Sequence, residues 1–386
     1  MESLFNASES FKTYGSALVL ICLLGAFLAG CSSSEKAPEA APAPVLETPP
    51  QAIPQASGDK KEAPVGAPVD WSKALVKAGK NEKPNFSSDG KRMLFISRER
   101  PAHKHRQLYE MNLDTKQERR ITYQDGEVFE GTMSPDDQTI FYTSTTDEIK
   151  ERPILFYPEL KAEPFPMTEI YRIKPKDELH ERWTSRPGFD GFIHTHNEPG
   201  KGLTVTQSRW QGSDLQLYRS FGQKPGFEDY GQKKPGVWAH SFTTHIKKPW
   251  KAWIQENAIT GSTAIVIQRQ GSPKETFNIP TFEVRDLQFV DSGSGDMTEF
   301  IYTGKAEKMG PRHAFWLNTS AKCQSQFINS QAEVSGLQIT PDGRGLAWTL
   351  AQGTESQIFM GLLDKGPAKC EPLPSADDKS VAHLQE

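Results

Sequence analysis

The chain has 386 residues, of which 24% are charged and 36% hydrophobic, and its formal net charge is −4. This length accommodates one large globular domain together with additional segments. Because nucleic-acid binding normally requires a clustered basic surface, the slightly negative balance argues against a nucleic-acid partner.

The first thirty residues predict a signal sequence. An apolar run from Ala17 to Leu24 is shorter than a bilayer span, and small residues follow it. Residues 28–31 read Leu-Ala-Gly-Cys, which resembles the bacterial lipobox, where the cysteine becomes the acylated first residue of the mature protein. We therefore predict a lipoprotein signal peptide at residues 1–30 and lipid attachment at Cys31. A plain secretory signal and an uncleaved anchor helix are the alternatives.

A linker follows the lipidated cysteine. From Ser32 to Pro68 the chain is rich in Ser, Ala, Pro, Glu and Lys and has almost no large apolar residues, so it cannot bury enough surface to offset ordering entropy. We predict a disordered Pro/Ala-rich tether over residues 31–69. Ser32 resembles the outer-membrane sorting pattern of lipoproteins. These features predict an outer-membrane location, facing the periplasm, with the membrane as a partner through the lipid anchor.

Three similar turns indicate an internal repeat. They begin at Ser87, Ser134 and Thr340 and read Ser-Ser-Asp-Gly, Ser-Pro-Asp-Asp and Thr-Pro-Asp-Gly. Each one precedes a short apolar strand. A tight turn between strands requires a positive φ, which Gly supplies, and Asp can accept a hydrogen bond from its own downstream backbone. We interpret these motifs as structural turns rather than as a ligand site.

Six units of similar size follow one another along the chain. The predicted second strands are Arg92–Ser97, Thr139–Ser144, Gly202–Gln207, Lys251–Gln255, Glu299–Thr303 and Gly345–Leu350. The next strand of each unit carries a hydrophobic pair: Leu108-Tyr109, Ile170-Tyr171, Leu217-Tyr218, Ile265-Val266, Phe315-Trp316 and Ile358-Phe359. The second members of successive pairs lie 62, 47, 48, 50 and 43 residues apart.

Four short antiparallel strands per unit at this spacing predict an all-β fold, a six-bladed β-propeller over residues 70–374 with a polar tail at residues 375–386. Seven blades are the alternative count. Residues 71–76, just before the first unit, predict either an outer strand that completes the last blade or a short helix.

The repeat resembles a known family. The stretch from Phe86 to Phe95, followed by Gln107-Leu108-Tyr109 and residues 118–122, is similar to the WD-related propeller repeat of the TolB family. Residues 131–142 and 339–348 are similar as well, whereas the middle three units match only in spacing. In that family the propeller is a periplasmic scaffold whose channel mouth docks proteins or peptides. The resemblance implies a non-enzymatic protein that binds an envelope protein or peptide and needs no cofactor.

A histidine pair supports an alternative function. His194 and His196 would point to the same side of a strand, which makes them weak candidates for metal ligands. The oligogalacturonate lyases, propellers with a related repeat, hold a metal with channel histidines. The alternative is therefore a polysaccharide lyase or hydrolase with a channel metal site. Against this, the pair occupies the slot of a polar turn, and no Gly-x-Ser-x-Gly elbow stands between a strand and a helix.

Two cysteines remain after the signal segment. An exported protein allows a disulfide between Cys323 and Cys370. Both cysteines are expected near the outer strands of successive units, which should lie further apart than the ~7 Å limit for bridging. The sequence leaves this bond open.

The remaining candidates are a loop and a set of tryptophans. An insertion rich in Glu, Lys and Pro, Asp147–Glu163, predicts a loop that docks a partner, because long loops on rigid scaffolds tend to carry function. Residues 247–251 predict a solvated basic loop. Five tryptophans predict packing between blades rather than a ligand-binding face: Trp210, Trp238, Trp250, Trp253 and Trp348.

Overall fold

The fold is built almost entirely from short antiparallel strands. The computed structural model describes residues 68–146, 166–174, 179–185, 188–211, 214–221, 228–230, 235–291, 298–328, 330–363 and 370–373. Within these ranges the only helix is a single 3-10 turn, Trp71–Lys73, and none has the length and hydropathy of a membrane span.

Each of the first three blades is a four-stranded sheet. Blade 1 contains β1 (Lys80–Phe86), β2 (Arg92–Arg98), β3 (Gln107–Asn112) and β4 (Glu118–Arg120). Blade 2 contains β5 (Val128–Met133), β6 (Ile140–Ser144), β7 (Glu169–Ile173) and β8 (His180–Arg182). Blade 3 contains β9 (Asp190–Glu198), β10 (Gly202–Gln211), β11 (Asp214–Phe221) and β12 (Glu228–Asp229).

The last three blades differ in strand number. Blade 4 contains β13 (Val237–Thr244), β14 (Trp250–Asn257), β15 (Thr263–Arg269) and β16 (Glu275–Ile279). Blade 5 contains β17 (Phe282–Val290), β18 (Glu299–Lys305), β19 (Arg312–Asn318), β20 (Cys323–Ile328) and β24 (Glu371–Pro372). Blade 6 contains β21 (Glu333–Ile339), β22 (Gly345–Gln352) and β23 (Glu355–Leu362).

The sheets confirm a six-bladed propeller, and the alternative of seven blades is wrong. All six predicted second strands coincide with observed second strands to within a few residues, and each hydrophobic pair lies on a third strand. Both members of every pair are buried. Fully burying a side chain of this kind contributes roughly 1.5–3 kcal/mol, so the repeated pairs stabilise the contacts between blades.

The ring closes where blade 1 meets blade 6. The Leu75 amide donates to the Ile358 carbonyl oxygen at 2.7 Å, and the Ser356 hydroxyl donates to the Asn81 carbonyl oxygen at 3.0 Å. The preceding residues form a 3-10 turn in which the Asp70 carboxylate accepts a bond from the Ser72 amide. Of the two expectations for residues 71–76, the structure therefore has the short helix.

The three repeated turns have the predicted geometry. Their fourth residues, Gly90, Asp137 and Gly343, have φ values of 69°, 57° and 73°. The aspartate before each of them accepts a hydrogen bond from the amide two residues downstream, at 3.0, 3.1 and 3.1 Å. Asp137 stands where the other turns have Gly, and aspartate is among the few residues that tolerate this backbone conformation. The prediction that these motifs are structural turns is confirmed.

The C-terminal part of the described chain returns to blade 5. β24 pairs with β20, so that Cys323 lies opposite Pro372. Cys323 and Cys370 are joined by a disulfide, with 5.4 Å between their Cα atoms. The expectation that Cys370 lies on an outer strand of the last blade is wrong. Since both cysteines lie at one edge of the same sheet, the distance argument against bridging does not apply.

Candidate functional site

A cavity of about 250 Å³ lies in the centre of the ring. Every residue of its wall belongs to the innermost strand of a blade, and all six blades contribute. The wall consists of residues 83–86, 130–133, 192–195, 241–242, 286–288 and 336–338. This is the central space of the propeller, the place where strands from distant parts of the chain converge.

The innermost strands are bulged at this cavity. In every blade the register between the first and second strands shifts next to a wall residue. Five of these shifts coincide with a residue of positive φ: Lys83, Phe192, Ser241, Asp286 and Gly336. A bulge leaves a residue outside the ladder and re-aims its side chain. The bulges therefore turn inner-strand side chains and backbone groups toward the cavity.

One of these positions requires glycine. Gly336 has a φ of 61°, and a Cβ atom there would lie 3.2 Å from the Lys83 Cα atom and 3.0 Å from the Thr349 hydroxyl. Its amide donates to the Asp286 Oδ2 atom at 2.8 Å, which joins blade 6 to blade 5. The bulge thus allows both the close approach of two inner strands and a hydrogen bond between them.

The cavity wall contains an ion pair in which contacts with neighbouring groups stabilise both charges. The Lys83 Nζ atom lies 3.3 Å from the Asp286 Oδ1 atom, and the Thr303 hydroxyl donates to Oδ2 at 2.8 Å. Burial by itself would raise the pKa of Asp286, but Lys83, Thr303 and the Gly336 amide together hold this pKa below its usual value. The Asp286 carboxylate in turn raises the pKa of Lys83, so both groups are charged at neutral pH.

Glu130 is a second carboxylate of the wall and is held differently. Its Oε1 atom accepts a hydrogen bond from the Ile193 amide at 3.3 Å. Burial raises the pKa of Glu130 to about 7, and Lys83 offsets only part of this effect. Among the described residues, no cation lies within ion-pair distance of Glu130. Nothing in the sequence singled out this residue.

The structure brings the two predicted metal ligands side by side. The His194 and His196 rings stack with centroids 5.6 Å apart, and the His194 Nε2 atom lies 3.0 Å from the Thr244 hydroxyl. Burial lowers the pKa of His194 to about 3 and that of His196 to about 4, so both rings are neutral. No group of three or more His, Cys, Asp or Glu side chains is arranged to hold a metal in the part of the chain that the structure describes.

A buried polar cluster beneath the wall was not foreseen from the sequence. The His240 Nδ1 atom lies 3.1 Å from the Ser241 hydroxyl, and its Nε2 atom lies 3.2 Å from the Glu256 Oε2 atom. Arg285 donates to the same Glu256 oxygen at 2.9 Å. Serine, histidine and glutamate in such a row are typical of hydrolase triads. Burial lowers the pKa of His240 to about 4, and the positive charge of Arg285 contributes to this shift. His240 is therefore a poor general base at neutral pH.

The remaining candidates are the five tryptophans, the predicted lipid attachment site and the predicted docking loop. Trp238 and Trp253 are only 2% exposed, which confirms the prediction of core packing for these two residues. Trp210, Trp250 and Trp348 are partly exposed, and the Lys248 ammonium lies 4.0 Å from the centroid of the Trp250 ring. Cys31 and the insertion Asp147–Glu163 lie outside the described residues. Lipid attachment and the docking role of that loop stay predictions.

Comparisons with known proteins concern the fold. No protein-family model matches the chain, and no curated protein matches it. An oligogalacturonate lyase from Vibrio parahaemolyticus is 11% identical, with a TM-score of 0.49 over 75% of this chain and 80% of that one. A TolB-type protein from Agrobacterium tumefaciens is 14% identical, with a TM-score of 0.48 over 75% of this chain and 93% of that one. Tricorn protease is 13% identical, with a TM-score of 0.49 over 78% of this chain and 27% of that one.

Identities this low carry no conclusion about activity, and these three proteins include two enzymes as well as a TolB-type protein. The class defined by the fold is the six-bladed β-propeller.

Proposed function

We propose that the protein is a lipid-anchored scaffold of the bacterial cell envelope, facing the periplasm from the outer membrane, that binds a protein or peptide at the central cavity. The observation that supports this most is the cavity itself, whose wall is made from the bulged inner strands of all six blades. Concave sites with a few fixed polar groups on a rigid frame are typical binding sites.

The chemistry of the wall supports binding rather than catalysis. Asp286 bonds to Lys83, Thr303 and Gly336, and its charge is compensated. The neutral His240 is held by Glu256 and is a weak base beside Arg285. A serine-reactive fluorophosphonate should therefore leave the protein unlabelled. Labelling of Ser241 that is lost in Ser241→Ala would contradict the scaffold and indicate a hydrolase.

The alternative of a polysaccharide lyase or hydrolase with a channel metal has no such support. His194 and His196 stack on each other, but the described residues supply no third ligand next to them. Metal analysis of the purified full chain distinguishes the two functions. We expect no stoichiometric transition metal, and finding one would contradict the scaffold proposal.

Docking at the cavity is tested by crosslinking in intact envelopes followed by a pull-down. Gln338 lies in the wall, and Gln338→Trp would fill the cavity. Gln326 is exposed on β20, so Gln326→Trp is a matched control at the outer edge of blade 5. We expect the crosslinked partner with the wild type and with the control, and its loss with Gln338→Trp. An undiminished partner with Gln338→Trp would contradict docking at the cavity.

The anchor is tested separately. Cys31→Ala removes the predicted acylation site, so the protein should move from the membrane fraction to the soluble fraction. The matched control is Cys22→Ala, which changes a cysteine within the apolar run of the signal and should leave the protein on the membrane. Retention of the Cys31→Ala protein on the membrane would contradict the lipid anchor.

A further inference from the structure

Glu130 differs from the other charged groups of the inner strands because no described cation lies within ion-pair distance of it, and Lys83 compensates its charge only in part. Lys83 is occupied by Asp286 at 3.3 Å. Glu82, on the same strand as Lys83, pairs with Arg106 at 2.7 Å. Glu283, three residues before Asp286 in β17, pairs with Lys305 at 2.8 Å. Within the described ranges, the wall therefore presents one cation and two carboxylates.

Contacts with the backbone of blade 3 hold the Glu130 carboxylate in a fixed position. The Ile193 amide fixes Oε1 at 3.3 Å. Gly191 leaves room for it, because a Cβ atom at that position would lie 3.2 Å from Oε1 and 2.4 Å from the Phe189 ring. The Phe192 amide also acts on this carboxylate as a hydrogen-bond donor and lowers its pKa. The Glu130 side chain lines the cavity, and its Oε2 atom is not among the fully buried side-chain atoms that lack a partner. The carboxylate is therefore placed to meet a ligand in the cavity.

The surroundings of Glu130 suit a single organic cation. The other charged or titratable groups of the wall are Lys83 on β1, Asp286 on β17 and His194 on β9. Three phenylalanines, Phe86, Phe192 and Phe242, also line the space, and aromatic faces attract cations. A volume of about 250 Å³ accommodates one side chain or one chain end rather than a folded domain.

We propose that the cavity binds a primary ammonium group, supplied by a lysine side chain or by the free N-terminus of the partner, with Glu130 as its counter-ion. This inference rests on the proposed function and specifies the chemistry of the partner. The Oε2 atom would accept the charge-assisted hydrogen bond, while the Ile193 amide keeps Oε1 in position.

Binding of an ammonium ion at this site depends on pH. Burial raises the pKa of Glu130 to about 7, so most of the empty sites are protonated at pH 6 and ionised at pH 8. Only the ionised form pairs with the cation, and affinity for a lysine ammonium should rise roughly tenfold across this interval, in proportion to the competent fraction. An α-amino group has a pKa of about 7.7–8.0 and is itself partly deprotonated at pH 8, so the rise for a free N-terminus should be smaller. The pKa of His194 is lowered to about 3, that of Asp286 is lowered and that of Lys83 is raised, so none of these groups titrates here.

The experiment is calorimetry on the full chain with three peptides. These are acetyl-Gly-Lys-Gly-amide, the same peptide with norleucine in place of lysine, and the norleucine peptide with a free amino terminus. We expect at least one of the two ammonium peptides to bind tenfold or more tightly than the neutral peptide. The comparison between those two identifies the lysine side chain or the N-terminus as the source of the cation.

Three variants test whether Glu130 causes the preference for the ammonium peptides. Glu130→Gln should reduce the affinity for the ammonium peptide to that of the neutral peptide and, for the lysine peptide, abolish the rise in affinity between pH 6 and pH 8. Glu130→Asp keeps the charge and should retain part of the selectivity, which provides a readout if the first variant folds poorly. Glu355 is exposed at the start of β23, and Glu355→Gln should bind like the wild type.

Equal binding of all three peptides, binding of none, or selectivity that survives Glu130→Gln would overturn the ammonium site. These outcomes are distinguishable from failure of the proposed function. Gln338→Trp blocks the cavity whatever charge the partner carries, so loss of the crosslinked partner would still support docking there.

Discussion

Among the residues that the structure describes, ten buried hydrophobic side chains form one continuous cluster between blades 1 and 2, whereas the corresponding cluster between blades 2 and 3 has four. Beside the smaller cluster, each of the two blades buries a charged pair of its own. In blade 3 Asp190 pairs with Arg209 at 2.8 Å, and in blade 2 Glu169 pairs with Arg182 at 2.8 Å, with both carboxylates fully buried. Where the repeat is regular, hydrophobic side chains fill the space between the blades. Where it diverges, the blades also bury particular ion pairs within their own sheets.

The largest expected effect is at the buried ion pair of blade 3. Asp190→Ala removes the carboxylate that lies 2.8 Å from the buried Arg209 guanidinium, and an arginine cannot lose its charge. Breaking a buried ion pair on one side costs about 3–5 kcal/mol. We expect a loss of this size in urea unfolding of the full chain. A loss below about 1 kcal/mol would show that the pair is not needed.

Substitution of Arg209 tests the same ion pair from its other side. Burial raises the pKa of Asp190 to about 7, above its unfolded value, so stability from the neutral form is lost as pH rises through 7. Arg209→Met should therefore cost less at pH 5, where Asp190 is protonated, than at pH 8. Equal losses of unfolding free energy at pH 5 and pH 8 would contradict the proposed change in the charge of Asp190.

The hydrophobic interface should respond almost as strongly. Leu108 is fully buried, and Leu108→Ala should cost about 2–5 kcal/mol because it leaves a cavity between blades 1 and 2. Val205 is the matched site in the small cluster between blades 2 and 3. Val205→Ala should cost about 2 kcal/mol by removing two methyl groups. Similar losses at both sites in urea unfolding would remove the contrast between the interfaces.

A smaller effect is expected at the turns of the regular blades. The Asp137 carboxylate accepts hydrogen bonds from the Ser88 amide at 2.9 Å and the Ser88 hydroxyl at 2.7 Å, which join the turns of blades 1 and 2. Asp137→Ala loses these bonds and strains a positive φ, for about 1–2 kcal/mol. Asp137→Gly relieves the strain and should cost less. If Gly were the worse substitution in thermal unfolding, the backbone argument would be wrong.

The smallest expected effect is the pH dependence that Glu130 gives to stability. The folded pKa of about 7 is above the unfolded value, so the contribution of the neutral carboxyl group is present below pH 4 and is lost as pH rises through 7. Glu130→Gln should flatten the decline in melting temperature between pH 5 and pH 8. An unchanged slope would indicate that Glu130 is better solvated than its surroundings suggest.

Most of the repeat could be predicted from the sequence because its signals are local. Alternation of β-branched and aromatic residues located the second strands, and the pairs on the third strands, such as Leu108-Tyr109, gave the number of blades. The bulges could not be predicted, since Lys83, Phe192, Ser241 and Asp286 share no residue type. The position of Cys370 was also mispredicted, because the pairing of β24 with β20 passes over a whole blade.

Residues a few positions apart are enough to specify the strands, the turns and the six-fold repeat. Which charges meet depends on how distant parts of the chain come together in the ring. Lys83 and Asp286 are 203 residues apart in the chain and lie 3.3 Å apart in the cavity because ring closure brings the inner strands of blades 1 and 5 together. That pairing occupies the wall's cation, and Glu130 is left as the carboxylate that can receive a partner's charge.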